Sequence, residues 1–184
     1  MELFNPTNQL YVPLPLRISS IGRFNNVPQM IVFDGSPEFT ASQAWPAVNR
    51  AHYMPVTLPS RFTVARFVVA VGTTAGGNID VGLYDSAGNR LLSTGTVARG
   101  SVSTIQYLDV TDQSFPAGKY YLALVCSSTG VGFTRVQVDN TDNFKAVGLL
   151  QEDLGSTVLP ATMTPVAFST DTAFWFGFTQ SATL

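Results

Sequence analysis

The stretch "NIDVGLYDSAGNRLL" (residues 78–92) decides how the whole chain is read. Its acids, glycine and asparagine fit either a calcium loop or a turn between two strands. A calcium loop of the EF-hand type places oxygen ligands at alternate positions and closes on a glutamate. Here Asp85 is followed by Ser86, Ala87, Gly88 and Asn89, and then by Arg90, a cation where a ligand would have to sit. The flanks point the other way. Before the turn, Ile79, Val81 and Leu83 fall on one face and Asp80, Gly82 and Tyr84 on the other, the two-residue period of a strand. After it, Leu91 and Leu92 resume an apolar run. The stretch is therefore a hairpin, with Gly88 and Asn89 supplying positive φ and Asp85 bonding the turn amides.

Working outward, the same texture recurs. Eleven prolines and fifteen glycines punctuate segments rich in Val, Phe, Tyr, Thr and Ile, which is the pattern of many short strands. Strands are expected in "HYMPVTL" (52–58), "RFTVARFVVAV" (61–71), "NIDVGLYD" (78–85), "RLLSTGTV" (90–97) and "STIQYLDV" (103–110). More follow in "KYYLALVC" (119–126), "VGFTRVQV" (131–138), "NFKAVGLL" (143–150) and "TAFWFGFTQ" (172–180). In the second of these, plain alternation puts Phe62, Val64, Arg66 and Val68 on one face and Phe67, Val69 and Val71 on the other. In the last, Phe174, Phe176 and Phe178 oppose Trp175. The one helix candidate, "ASQAWPAVNR" (41–50), carries Pro46 at its centre and supports a single turn at most. The expected fold is all-β, an antiparallel β-sandwich of jelly-roll-like or immunoglobulin-like type spanning residues 51–184.

Residues 1–50 differ. Large side chains (Leu3, Phe4, Tyr11, Leu14, Leu16, Ile21, Phe24) alternate with prolines at 6, 13, 15 and 28 that interrupt ladders. The segment reads as an extended N-terminal arm that lies along another surface, or as an irregular segment packed on its own domain.

The chain has 184 residues, enough for one domain with a sizeable core. It is 45% hydrophobic and only 12% charged, about half the usual charged share. "KYYLALVC" and "AFWFGF" are apolar on both faces, so each outer face is covered by a loop or by another subunit. With the low charge, this points to a chain that contacts copies of itself or other proteins, with Trp175 as a contact residue beside Leu3, Phe4, Tyr11, Leu14 and Leu16. The net charge of −2 and the lack of a basic run give no support to nucleic-acid binding. No apolar run approaches the roughly 20 residues of a membrane helix, and the N-terminus lacks the pattern of a secretory signal. A chain that is made in the cytoplasm is expected.

Candidate chemistry is sparse. The single histidine, His52, excludes a paired-histidine zinc site and reads as structural. No G-x-S-x-G elbow is present. "GTTAGG" (72–77) and "STGTVARG" (93–100) lack the phosphate-loop pattern. Asp85, Asp109, Asp112, Asp139 and Asp142 lie in or beside turns rather than as a cleft pair. "DNTDN" (139–143) is the best place for a calcium ion, although no metal or cofactor is expected. Trp45, Tyr53, Tyr84, Tyr107 and Trp175 could stack on sugars, but a core role suits most of them. Cys126, the only cysteine, reads as a buried small hydrophobe.

From His52 to Arg135 the chain resembles a β-sandwich module of tailed-bacteriophage virion proteins. The resemblance rests on "AHYMPVTLPSRFTVARFVVAV", "NIDVGLYDSAGNRLLSTGTV" and "SFPAGKYYLALVC" in that order, with "VGLYDxxGN" and "PAGxYYLAL" as its specific elements. It implies a structural or adhesive protein of the virion and no enzymatic role. The small size and arm-like start look more like a capsid decoration or head-fibre component than a long tail fibre, which would carry a stalk. By analogy, the partners are other virion proteins and two further copies in a trimer. The alternative is a carbohydrate-binding module that reads a host-surface glycan.

Overall fold

The computed structural model describes residues 20–24, 27–31, 42–136, 148–169 and 172–180. Among them there is no helix, and fifteen strands form two sheets. The first sheet is built from β1 (Ser20–Phe24), β2 (Val27–Ile31), β3 (Ser42–Ala44), β5 (Phe62–Val71), β9 (Thr104–Phe115), β11 (Gly132–Val136), β14 (Ala173–Phe174) and β15 (Phe176–Thr179). Its order is β1-β2-β15-β5-β11-β14, with β9 also on β5 and β3 also on β11. The second contains β4 (Arg50–Leu58), β6 (Asn78–Asp85), β7 (Arg90–Ser93), β8 (Val97–Ala98), β10 (Gly118–Cys126), β12 (Leu150–Asp153) and β13 (Val166–Ala167). Its order is β13-β12-β4-β10-β6-β7, with β8 also on β6. Every ladder is antiparallel. The protein is a β-sandwich.

The alternating patterns place the core. Met54, Val56 and Leu58 of β4, Ile79, Val81 and Leu83 of β6, and Leu122, Leu124 and Cys126 of β10 point between the sheets. Phe174, Phe176 and Phe178 meet them from the other layer. Burying this many large side chains is the main stabilising term, at about 1.5–3 kcal/mol each.

The opening hairpin forms as its sequence requires. Asp85 N–H donates to the Asn89 carbonyl at 2.9 Å. Asp85 Oδ1 accepts from the Ala87 and Asn89 amides at 2.9 and 2.8 Å. These bonds hold its carboxyl below the usual range. Gly88 alone takes the left-handed conformation, with φ 88°, so Asn89 is not needed for it.

One expectation is corrected. Alternation fails in β5: the ladder with β9 shifts register between Val64 and Arg66, so Phe62, Val64, Phe67 and Val69 all face the core. Val68 and Ala70 face outward with Trp175. The bulge swaps the facing of every residue beyond it. In line with Pro46 at its centre, residues 42–50 hold no helix. Ser42–Ala44 is strand β3 on β11, and Trp45 is buried in the core.

The boundary at residue 50 also moves. Ser42–Arg50 belongs to the sandwich, and β2 pairs with β15 while β1 pairs with β2. The rest of the N-terminal segment, including Leu3, Phe4, Tyr11, Leu14 and Leu16, lies outside the described residues.

Candidate functional site

Strands β4, β6 and β10 turn a second apolar face away from the core. Ala51, Tyr53, Tyr84, Ala123 and Val125 lie on it and are fully buried, together with Leu159. The cover is the protein's own chain. The segment that leaves β12 and returns as β13 lays Leu154, Leu159 and Met163 across the sheet. Of the two explanations for a strand apolar on both sides, a loop and not a second subunit covers β10.

Polar side chains pin this cover. Asp80, buried on the outer face of β6, accepts from Ser93 Oγ at 2.7 Å, Thr94 Oγ1 at 3.1 Å and the Leu159 amide at 2.9 Å. A carboxylate removed from water needs several such donors to stay satisfied. Tyr84 donates its hydroxyl to the Pro160 carbonyl at 2.7 Å, and Arg90 Nη1 donates to the Leu159 carbonyl. The Met163 amide donates to the Gly88 carbonyl at 2.9 Å, so the hairpin turn itself receives the segment. Tyr53 donates to Glu152 Oε2 at 2.8 Å, and Glu152 also accepts from the Thr164 amide and hydroxyl at 3.1 and 2.6 Å. The two tyrosine rings meet edge to face at 5.4 Å. Burial pushes both hydroxyls well above the ordinary phenol range, with the Glu152 hydrogen bond adding to the effect at Tyr53. Gly82 lies beneath the cover, where a Cβ would stand 2.9 Å from Leu159 Cδ1 and from the Leu92 carbonyl oxygen.

His52, on the inner face of β4, is fully buried among Trp45, Phe168 and Phe174, with ring centroids 4.7, 4.8 and 5.8 Å away. Neither ring nitrogen has a hydrogen-bond partner. Burial pushes its pKa down to about 3, with Arg50 adding in the same direction and Asp153 opposing. Arg50 and Asp153 form an ion pair at the end of β4 and β12, with contacts of 2.6 and 2.9 Å. Trp45 anchors the cluster by donating Nε1–H to the Arg50 carbonyl at 3.0 Å.

Arg99 also lies buried, with its guanidinium 5.1 Å from the centroid of the Phe133 ring that packs on Trp45. Its Nη2 donates to the Gly132 carbonyl, whereas Nε and Nη1 have no partner. Burial lowers its pKa from the ordinary value. Cys126 is buried, and desolvation raises its thiol pKa.

The residues singled out from sequence fare differently. Trp175 is 3% exposed and packs on Val68, Ala70, Ile105 and Tyr107, so it is not presented as a surface contact. Of the aromatics considered for sugar stacking, Trp45, Tyr53, Tyr84 and Trp175 are all buried. The 139–143 segment lies outside the described residues. Among the described residues no three His, Cys, Asp or Glu side chains come together as a metal-binding group, and no helix is long and apolar enough to cross a membrane. Sequence reasoning missed Asp80, Glu152 and the covering segment. The available signal was the acid and tyrosine standing opposite the core-facing residues of β6. No protein-family model, no curated protein and no solved structure matches the chain.

Proposed function

We propose that this chain is a structural protein of a tailed-bacteriophage virion, a capsid-surface decoration or head-fibre component acting through protein–protein contacts. It is made in the host cytoplasm and assembles on the particle with copies of itself as a trimer. One observation carries the reading. The two elements on which the virion resemblance rests, "VGLYDxxGN" and "PAGxYYLAL", become adjacent central strands of one sheet, with Leu122 opposite Leu83 and Ala123 opposite Gly82. They form one structural unit, as a shared module requires. The polar side chains around that unit, Asp80, Tyr53, Tyr84 and Glu152, bind its cover and not an open cleft. The glycan-binding alternative draws less support, because four of its five candidate aromatics are buried.

The chain is expected to sediment with gradient-purified virions encoded by the same genome, at a fixed copy number. Deleting residues 1–19 tests the arm, and the deletion stops there because Ser20–Phe24 begins the first sheet. The truncated chain is expected to lose particle binding. Binding at full strength would remove the arm, and absence of the full chain from purified virions would remove the assignment.

A further inference from the structure

His52 lies where the covering segment both starts and ends. On β12 its register partner is Gln151. Gln151 in turn holds Ser169, donating Nε2–H to Ser169 Oγ at 2.8 Å and accepting from the Ser169 amide at 3.1 Å. The neighbouring Phe168 packs edge-on to the imidazole, 4.8 Å between centroids. The ring is thus enclosed by Phe168, Trp45 and Phe174, with two unpartnered nitrogens and no water contact.

We propose that His52 is an acid-operated latch: a proton taken up by its ring releases the Phe168 end of the Leu150–Ser169 segment and opens the aromatic pocket of Trp45 and Phe174 behind it to water. An imidazolium carries two N–H donors and a charge, and none of its aromatic neighbours offers an acceptor. The charged groups near it are few. Arg50, two residues away on β4, opposes protonation; Asp153 on β12 favours it, but is already paired with Arg50. β10 offers Leu124 in register with it, and Trp45, Phe168 and Phe174 do not titrate. Glu152 is engaged on the opposite face by Tyr53 and Thr164. A protonated ring must therefore reach water, and Phe168 is the wall held by the segment's end rather than by a central strand. The middle of the segment keeps its bonds to Asp80, Tyr84 and Arg90, so the opening is local to the returning end.

The sign follows from linkage. The closed ring has a pKa of about 3, and the opened ring returns to the ordinary value near 6.5. The closed state is therefore fully favoured above 6.5 and loses ground as pH falls towards 3. Between about pH 7.5 and about pH 4.5, the open population rises about a hundred-fold.

Amide hydrogen exchange across Val166–Ser169, corrected for intrinsic rates, reads this directly. The full chain is expected to show the hundred-fold loss of protection, while His52→Phe, which keeps every carboxylate, shows none. The same pH dependence in His52→Phe overturns the latch. The second measurement needs no variant, because the chain has a single histidine. Its ring nitrogen shifts in the folded protein are expected to stay neutral to below about pH 5. A midpoint near 6.5 with the segment still protected overturns the proposal, as does a neutral ring with protection unchanged down to pH 4.5.

Discussion

Replacing Asp80 with alanine is expected to destabilise the sandwich by about 3–5 kcal/mol, among the largest effects of any single polar substitution. The carboxylate serves three donors at once, from Ser93, Thr94 and Leu159, at a fully buried position. Removing it takes the acceptor from the buried Leu159 amide and from the Ser93 hydroxyl, while Thr94 Oγ1 keeps the Gly95 carbonyl at 2.8 Å. Two donors lie on the β7 side and the third on the covering segment, so one side chain ties sheet to cover. For a chain of this size the midpoint of thermal unfolding should fall by about 10 °C. Asp80→Asn keeps one acceptor but turns the other into a donor, and should cost about half as much. Thermal unfolding followed by circular dichroism checks both. A change of under 1 kcal/mol for Asp80→Ala would mean that the carboxylate does not hold the segment.

Trp45→Ala is expected to cost a similar amount, about 3–5 kcal/mol, for a different reason. The indole fills the corner between Phe133, Phe174 and His52, stacked on Phe174 at 4.8 Å. Its loss opens a cavity that three aromatic rings from separate strands cannot fill without shifting. The hydrogen bond to the Arg50 carbonyl goes with it. Trp45→Phe restores most of the volume and should recover more than half the loss. Denaturant unfolding gives the size of the effect, and Trp175 remains as the fluorescence probe in both variants.

These two residues mark what the sequence could and could not reveal. Strand facing was legible wherever alternation ran unbroken: Ile79, Val81 and Leu83 are in the core, and Asp80 and Tyr84 are on the opposite face. Facing alone does not say whether a face is wet. Asp80 is covered by Leu159, 79 positions away, and no local pattern encodes a contact at that range. The covering segment contains Gly155, Pro160 and Pro165 and carries no periodicity, so it resembles an ordinary loop until the sheet it lies on is in place. The β5 bulge was illegible for the opposite reason. "FTVARFVVAV" alternates acceptably in either phase, and only pairing with β9 fixes which residues turn inward. Trp45 was hidden by Pro46, which argued against a helix but said nothing of a strand ending in the core.

The composition has its explanation in the same segment. A chain rich in apolar residues and poor in charge suggested surfaces shared with other subunits. In the described structure much of that apolar material lies inside one chain, in a second buried layer on the outer face of β4, β6 and β10. Under the proposed function, contacts with a particle or with further copies use other surfaces.

The most direct test of the self-covered sheet is a spectrophotometric titration of the tyrosines at a concentration low enough to keep the chain monomeric. Tyr53 and Tyr84 are held protonated by burial under the covering segment. Both are therefore expected to remain un-ionised beyond the ordinary value near 10 for as long as the protein stays folded. Tyr53→Phe and Tyr84→Phe should each remove one of that late-titrating pair. If both residues ionise near pH 10 in the folded monomer, the sheet face is open to water and the chain does not cover itself.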